Sequence, residues 1–386
     1  MFGYVEALST AGVATVIVCP TTSVSRVRTD VHRPTGARLV FVPAPRGFAA
    51  VRRWALDSRI DGRRDPLTLA RAVAAHVAPY LSTPPRLLSR VIREERCAVV
   101  LCQDYENPRF DVCVAVGARA GTPVFGTFQG GDEQHSRLER WTRPRALRRC
   151  AGLVVAPDAE TERVSRLYGM PAGKVARIPN PVDTALWGGG DREAGRAALG
   201  IPSDAQVVAW HGQVQLWRKG LDTLLEAWAS LTREQPEGER RLVLVGSGED
   251  LPEVRRRIEA ESLPGLHVVD TWVQDRRRLA DVLAAADVYA FPSRHEGLAV
   301  APIEALAAGL PVVASDARGA ADVVGDAGLV VPTGDAAALA GAIGELLADP
   351  GRRAELGRRA RARADERYSL AAVGAALRAF LLDERR

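Results

Sequence analysis

Lysine is almost missing from this chain of 386 residues: Lys174 and Lys219 stand against 50 arginines (52 basic residues less two). Aromatic residues are scarce at 5%, and they do not interleave with the arginines in the way that stacks bases, which argues against nucleic acid as a partner. No apolar run reaches the ~18 residues of a membrane-spanning helix, and no signal peptide opens the sequence, so a cytoplasmic location is expected. Cysteine numbers only five, namely Cys19, Cys97, Cys102, Cys113 and Cys150. All fall in the first half without a C-x-x-C spacing, and they read as reduced core thiols. The histidines form no H-x-x-x-H pair and the acids no D-x-D, so no protein-built metal site is expected. A G-x-G-x-x-G fingerprint is also missing, which counts against a hydride-transferring dinucleotide enzyme.

What is present is ordinary globular material. The chain is 47% hydrophobic and 26% charged, which excludes a disordered or fibrous protein. Its length predicts two to three domains. Charge divides unevenly along it. Residues 1–185 hold 27 basic and 17 acidic side chains, a net of +10, and residues 186–386 hold 25 and 30, a net of −5. Halves of opposite sign suggest domains with different partners, and the basic half suits an anionic membrane surface or an acidic acceptor.

In the second half, short Val- and Leu-rich runs alternate with amphipathic stretches. Strands are expected at 206–211, 242–246, 266–269, 288–292, 311–315 and 329–332. Helices are expected near 219–232, 250–262, 276–286, 300–309, 318–325 and 335–348. The alternation indicates βαβ units and a parallel sheet buried on both faces. The first half repeats the theme, with strands at 14–19, 38–42, 98–102, 123–128, 152–156 and 175–179 and an irregular, Arg- and Pro-rich excursion at 44–66. A composition break at Asn180–Gly190 sets the boundary near 186, and the tail after 351 reads as helical. A doubly wound domain opens with a strand and a glycine-rich loop. Here a helix over 1–10 comes first, and the missing strand is expected upstream of Met1.

Three loops can carry chemistry. In VYAFPSRHEGLAVAPIEALAAGLPVVAS (288–315), a strand leads through a short loop into a helix expected to start near Ala299. That helix start offers free amides and a positive dipole end to an anion, and Gly297 permits close approach. Glu296 from the loop and Glu304 from the helix would reach one cleft, where carboxylates accept paired sugar or ribose hydroxyls. In WHGQVQLWRKGLD (210–222), Lys219 is expected to open the next helix. There its charge opposes the dipole, and a bound anion would relieve the conflict. In VGSGE (245–249), Gly246 and Gly248 permit a ligand to approach the backbone. An anion site, hydroxyl acceptors and close-approach glycines at one sheet edge suit a nucleotide diphosphate bearing a sugar.

The stretches GQVQLWRKGLDTLLEAW, LVLVGSGED, LAAADVYAFPSRHEGLAVAPIEALAAGLPVVASD and GLVVPTGD closely resemble the C-terminal domain of GT-B glycosyltransferases, in particular the retaining family four. TPVFGTFQGGD and KVARIPNPVD are similar to that family's cleft loop and interdomain strand, and RYSLAAVGAALRAFL to its terminal helix. The resemblance implies an α/β GT-B fold, with two Rossmann-like doubly wound domains facing a cleft. Residues 1–186 would bind the acceptor, 187–368 the nucleotide sugar, and 369–386 would return as a helix to the first domain.

The resemblance also implies residue roles. Glu296 would face the donor sugar and Glu304 would hold the ribose. Lys219 would grip the diphosphate, helped by the amides of Gly297, Leu298 and Ala299. Gly212 lies in the same loop as Lys219, and Val273 stands where the family's backbone meets the base. The donor would be a UDP- or GDP-sugar, transferred with retention and without a metal or other cofactor. Two departures stand out: Gln213 replaces the family's usual arginine, and Gln129 its frequent histidine. Asp104, Glu106, Gln129 and Asp132 are the candidate acceptor ligands. The alternatives are a nucleotide-sugar epimerase of the same fold and a partner subunit with weakened turnover. A peripheral contact with the inner membrane face would run through the basic half.

Overall fold

A computed structural model describes all residues except 1, 46–47, 49–50, 52–65, 131–136, 235–238, 271–274, 298, 318 and 384–386. It divides into two compact units, residues 1–178 with 373–386, and residues 179–372. The division falls at Ile178–Pro179, eight residues before the expected 186. The short helix Thr184–Trp187 explains the shift. Asp183 caps it by accepting from the Leu186 amide, and Trp187 and Val182 are buried in a core of the second unit.

The second unit is built on six parallel strands: β8 (Gln206–His211), β9 (Arg240–Val245), β10 (Leu266–Val269), β11 (Val288–Phe291), β12 (Val312–Ser315) and β13 (Gly328–Val331). Their spatial order is β10-β9-β8-β11-β12-β13, the 3-2-1-4-5-6 order of dinucleotide-binding sheets. Alternate residues of β8 serve different cores. Val207 and Ala209 join one cluster, while Val208 and Trp210 join the other. A sheet buried on both faces needs apolar residues at every position, which is why these strands read as unbroken apolar runs. Three helices of this unit start on side-chain caps. Asp275 caps Arg276–Ala284, Asp335 caps Ala336–Ala348 and Asp349 caps Pro350–Arg367. Each aspartate satisfies an amide that the helix cannot pair internally.

The first unit carries its strands in two sheets rather than the one expected. The first orders β1 (Val16–Thr21), β3 (Ala37–Pro43) and β2 (Arg28–His32), with β1 and β3 parallel and β2 antiparallel. The second is fully parallel and runs β4 (Val100–Cys102), β5 (Val124–Thr127), β6 (Gly152–Val154), β7 (Val175–Ala176). Among the described residues, β1 and β4 each keep one edge without a strand partner. The helix Pro85–Glu94 lies between the two groups: Val91 packs with Val40 and Val42, while Leu88 and Ile92 join the core around β4 and β5. β2 was not among the expected strands; its residues are exposed or half-buried and include Arg28 and Asp30.

Val373–Arg386 belong to the first unit. The Phe380 ring meets Phe125 edge-on at 5.3 Å, and the backbone at Gly374 lies so close to the Ala7 carbonyl that a Cβ would stand 2.1 Å from it.

Candidate functional site

In the second unit the strand order reverses between β8 and β11, which are direct neighbours. Ligand crevices of open α/β sheets form at the carboxyl ends of such strands. Two loops leave there, 212–220 after β8 and 292–300 after β11. They are tied together tightly. Gly220 has φ +63°, and a Cβ on it would stand 2.0 Å from the Pro292 carbonyl oxygen. The Arg294 amide donates to the Arg218 carbonyl at 3.0 Å. The Arg294 guanidinium donates to the Trp217 carbonyl at 2.8 Å, Asp222 at 2.5 Å and Thr223 at 2.8 Å. That arginine is spent on holding the loops.

Across this joint lie the expected residues. Lys219 Nζ donates to Glu296 Oε1 at 2.6 Å, with Glu296 buried. Lys219 does not open a helix as expected. It sits in a turn two residues before the helix Leu221–Glu234, and its charge is balanced by the carboxylate rather than set against a dipole. The helix carrying Glu304 spans Ala301–Ala307, starting two residues later than expected. Pro302, with no N–H to give, is accommodated in its first turn and marks the start. Gly297 and Ala299 therefore belong to the loop, Gly297 half-buried and Ala299 buried. Gly212 is half-buried and Gln213 exposed in the neighbouring loop.

The close approach expected at Gly246 and Gly248 is to the chain itself. A Cβ at Gly246 would stand 1.9 Å from the Gly212 oxygen, and one at Gly248 would stand 2.1 Å from the Val214 oxygen. These glycines therefore seat the Lys219 loop on β9. Leu298 and Val273 lie outside the described residues.

Sequence reasoning missed two members of the site. His211, the last residue of β8, brings Nε2 to 2.8 Å from Glu304 Oε2. The Tyr289 hydroxyl of β11 reaches the His211 backbone, accepting from its amide at 3.4 Å and donating to its carbonyl at 3.3 Å. Burial pushes the Tyr289 hydroxyl well above its ordinary pKa. The available signal was a histidine in an otherwise apolar strand, immediately before the loop glycine.

In the first unit, Asp104 and Glu106 follow β4 and Gln129 follows β5. Asp104 adopts φ +62°. Its amide donates to Thr127 Oγ1 at 3.0 Å, and its carboxylate accepts from the Glu106 amide at 3.2 Å. Gln129 Nε2 donates to the same Thr127 hydroxyl at 3.3 Å. Glu106 is not a solvated loop carboxylate. It is buried against Arg163, whose guanidinium also reaches Glu160 at 2.7 Å and the Tyr105 hydroxyl at 2.6 Å. Burial pushes the Glu106 carboxyl up to about 7, with Arg163 pulling the other way. Burial also raises Asp104. Asp132 lies outside the described residues.

Comparison with known proteins follows the same division. A family model described as Glycosyltransferase Family 4 matches residues 2–186, and one described as Glycosyl transferases group 1 matches 205–349. The D-inositol 3-phosphate glycosyltransferase of Saccharomonospora viridis is 38% identical over 225 residues, covering 56% of this chain and 52% of that protein. D-inositol 3-phosphate glycosyltransferase 2 of Catenulispora acidiphila is 36% identical, covering 54% and 50%. The chain thus spans about half the length of the curated relatives it matches.

Among solved structures, a glycosyltransferase from Rickettsia africae superposes with a TM-score of 0.74 at 14% identity, covering 99% of this chain and 95% of that one. Anabaena HepE in complex with UDP and glucose gives 0.68 at 17%, covering 91% and 87%. Two Rossmann-like units, matched in turn by these family models and neighbours, identify the chain as a member of glycosyltransferase family 4, with the GT-B fold.

Proposed function

We propose that this chain is a retaining glycosyltransferase that moves a sugar from a UDP- or GDP-sugar to a hydroxyl of a polyhydroxylated acceptor, without a metal. The observation that carries the reading is the pairing of Lys219 with Glu296 and of His211 with Glu304 at the switch point of the second unit's sheet. The donor's diphosphate would lie against Lys219, and its ribose diol against Glu304. Glu296 would face the sugar.

As the bond to the diphosphate breaks, negative charge grows on the leaving oxygens. Lys219 is fixed in place by Glu296 and meets that charge more strongly in the transition state than before it. Gln213 brings no charge to this loop, and Arg294 is committed elsewhere, so the loop's cations for that task would be Lys219 and the exposed Arg218. The acceptor would be held by the first unit near Asp104 and Gln129. The closest functional hint to its class is that the relatives named above act on an inositol phosphate.

The test is nucleotide release from UDP- and GDP-sugars with and without polyol acceptors such as inositol and its phosphates. Acceptor-dependent release, insensitive to chelator, with an anomeric configuration kept in the product supports the reading. An epimerised sugar formed without acceptor would favour the epimerase instead. Donor binding with no turnover would favour the partner subunit.

Cytoplasmic residence with contact to an anionic membrane face is part of the same reading. No helix among the described residues is long and apolar enough to cross a membrane. Its support is a cluster of exposed apolar side chains. Val73, Val77 and Leu81 recur along the helix Pro66–Leu81, and Trp141 lies on the neighbouring Arg-rich helix Arg137–Arg149, with Tyr80 bonded to Thr142 between them. Apolar groups with basic neighbours suit an interface of anionic lipid. Co-sedimentation with phosphatidylglycerol vesicles but not with phosphatidylcholine vesicles is the expected result.

A further inference from the structure

His211 is a buried imidazole with two ring nitrogens in unequal surroundings. Nε2 meets Glu304 Oε2 at 2.8 Å. Nδ1 is buried and has no hydrogen-bond partner. A hydrogen on Nδ1 would find no acceptor, whereas one on Nε2 has a carboxylate directly in line, so the ring donates from Nε2. Its backbone is held as firmly as its ring. The Tyr289 hydroxyl touches both its amide and its carbonyl, and the two rings stand edge to face at 5.4 Å. Glu304, one-fifth exposed at its side chain, therefore has one oxygen engaged by the protein and the other left for a ligand.

We propose that His211 is a positioning residue that orients the Glu304 carboxylate, so that the enzyme distinguishes a nucleotide's 2′,3′-diol from a deoxyribose. The proposal rests on the reading of Glu304 as the ribose acceptor. A free glutamate samples several rotamers and must be ordered on binding, which weakens affinity. His211 orders it beforehand. The Glu304 carboxylate then meets two vicinal hydroxyls in a fixed plane, and loss of one hydroxyl leaves it unmatched.

The experiment measures binding of UDP, GDP and their 2′-deoxy forms by calorimetry to the wild-type protein and to His211→Leu, His211→Gln and Glu304→Gln. Wild type should prefer the ribonucleotide. His211→Leu, of similar volume but without a donor, should bind it about tenfold more weakly, the range of a charged hydrogen bond, and should lose the preference over the deoxy form. His211→Gln should restore both, because its amide can donate from near the Nε2 position. A role confined to folding would lower stability without changing the ribose-to-deoxyribose ratio.

If Glu304→Gln weakens ribonucleotide binding but His211→Leu keeps the wild-type ratio, the proposal fails while the reading of Glu304 stands. If Glu304→Gln changes nothing, or wild type binds neither nucleotide, the reading itself fails. Should His211→Leu not fold, the wild-type protein labelled with 15N at histidine decides. A ring hydrogen on Nε2 together with full activity in His211→Gln sustains the proposal, and a hydrogen on Nδ1 overturns it.

Discussion

Glu296 and Glu304 lie eight residues apart in sequence, yet each has its own basic partner, lysine for one and histidine for the other. Gln213, where the resemblance to family four implies an arginine, is exposed in the loop that carries Lys219. Gln213→Arg would add a further positive group to the loop that carries Arg218 and Lys219. Turnover is expected to stay level or rise when sugar release is followed at fixed donor, and a collapse would mean that the glutamine has a task of its own. Glu106 offers a different residue-scale test. Its carboxyl is raised by burial to about 7 in the folded protein, against an ordinary value of 4.5, so the fold favours its protonated form. That contribution is complete below about 4.5 and is lost as pH rises through about 7. The melting temperature of the wild type, measured against Glu106→Gln, should therefore fall between those limits. A constant difference would contradict the assigned burial.

At the level of elements, the second unit was legible because its strands are buried on both faces. A continuous apolar run marked β8, where nothing polar interrupts Val207–Trp210, and β10, half-buried and carrying His267, was marked by the Pro264-Gly265 border before it. Loops were less legible. The helix after Lys219 and the helix carrying Glu304 both begin two residues later than the periodicity suggested, because tertiary ties decide where a helix can start. Here those ties are Gly220 against Pro292 and Arg294 against Asp222. Their partners lie more than 70 residues away, beyond the reach of local pattern. Separation along the chain also hid His211, whose meaning depends on Glu304, and Arg163, whose meaning depends on Glu106. β2 was illegible for another reason: an exposed antiparallel edge strand with Arg28 and Asp30 carries no apolar alternation. The Gly220 contact also supplies a prediction. A methyl at Gly220 meets backbone, not a yielding side chain, and φ is left-handed. Gly220→Ala should destabilise the fold by about 1–3 kcal/mol and loosen the Lys219 loop, visible as lower melting temperature and weaker nucleotide binding together. Unaltered melting would show that the loop yields.

For the molecule as a whole, the chain's two units do not follow its order. The last residues return to the first unit, where Phe380 meets Phe125 and Gly374 meets Ala7. Ending the chain after Ala372 should therefore injure the first unit while sparing the second. Proteolysis is expected to cut within residues 1–178 of the truncated form, and nucleotide binding to persist. Loss of nucleotide binding along with the first unit would mean that the two do not stand apart energetically. The resemblance to known glycosyltransferases was legible from the second unit's loops. The split of the first unit's strands into two sheets was not, because pairing is a property of space rather than of local pattern.

That split has a chemical consequence. Among the described residues, the edges of β1 and β4 carry backbone donors and acceptors without a strand partner. Both strands are nonetheless half-buried or buried, and Val18 of β1 packs on the core that holds Val100 and Cys102 of β4. Side-chain packing there does the joining that a hydrogen-bonded ladder does elsewhere, so trimming Val18 to alanine should loosen one sheet from the other before either loses its own strands.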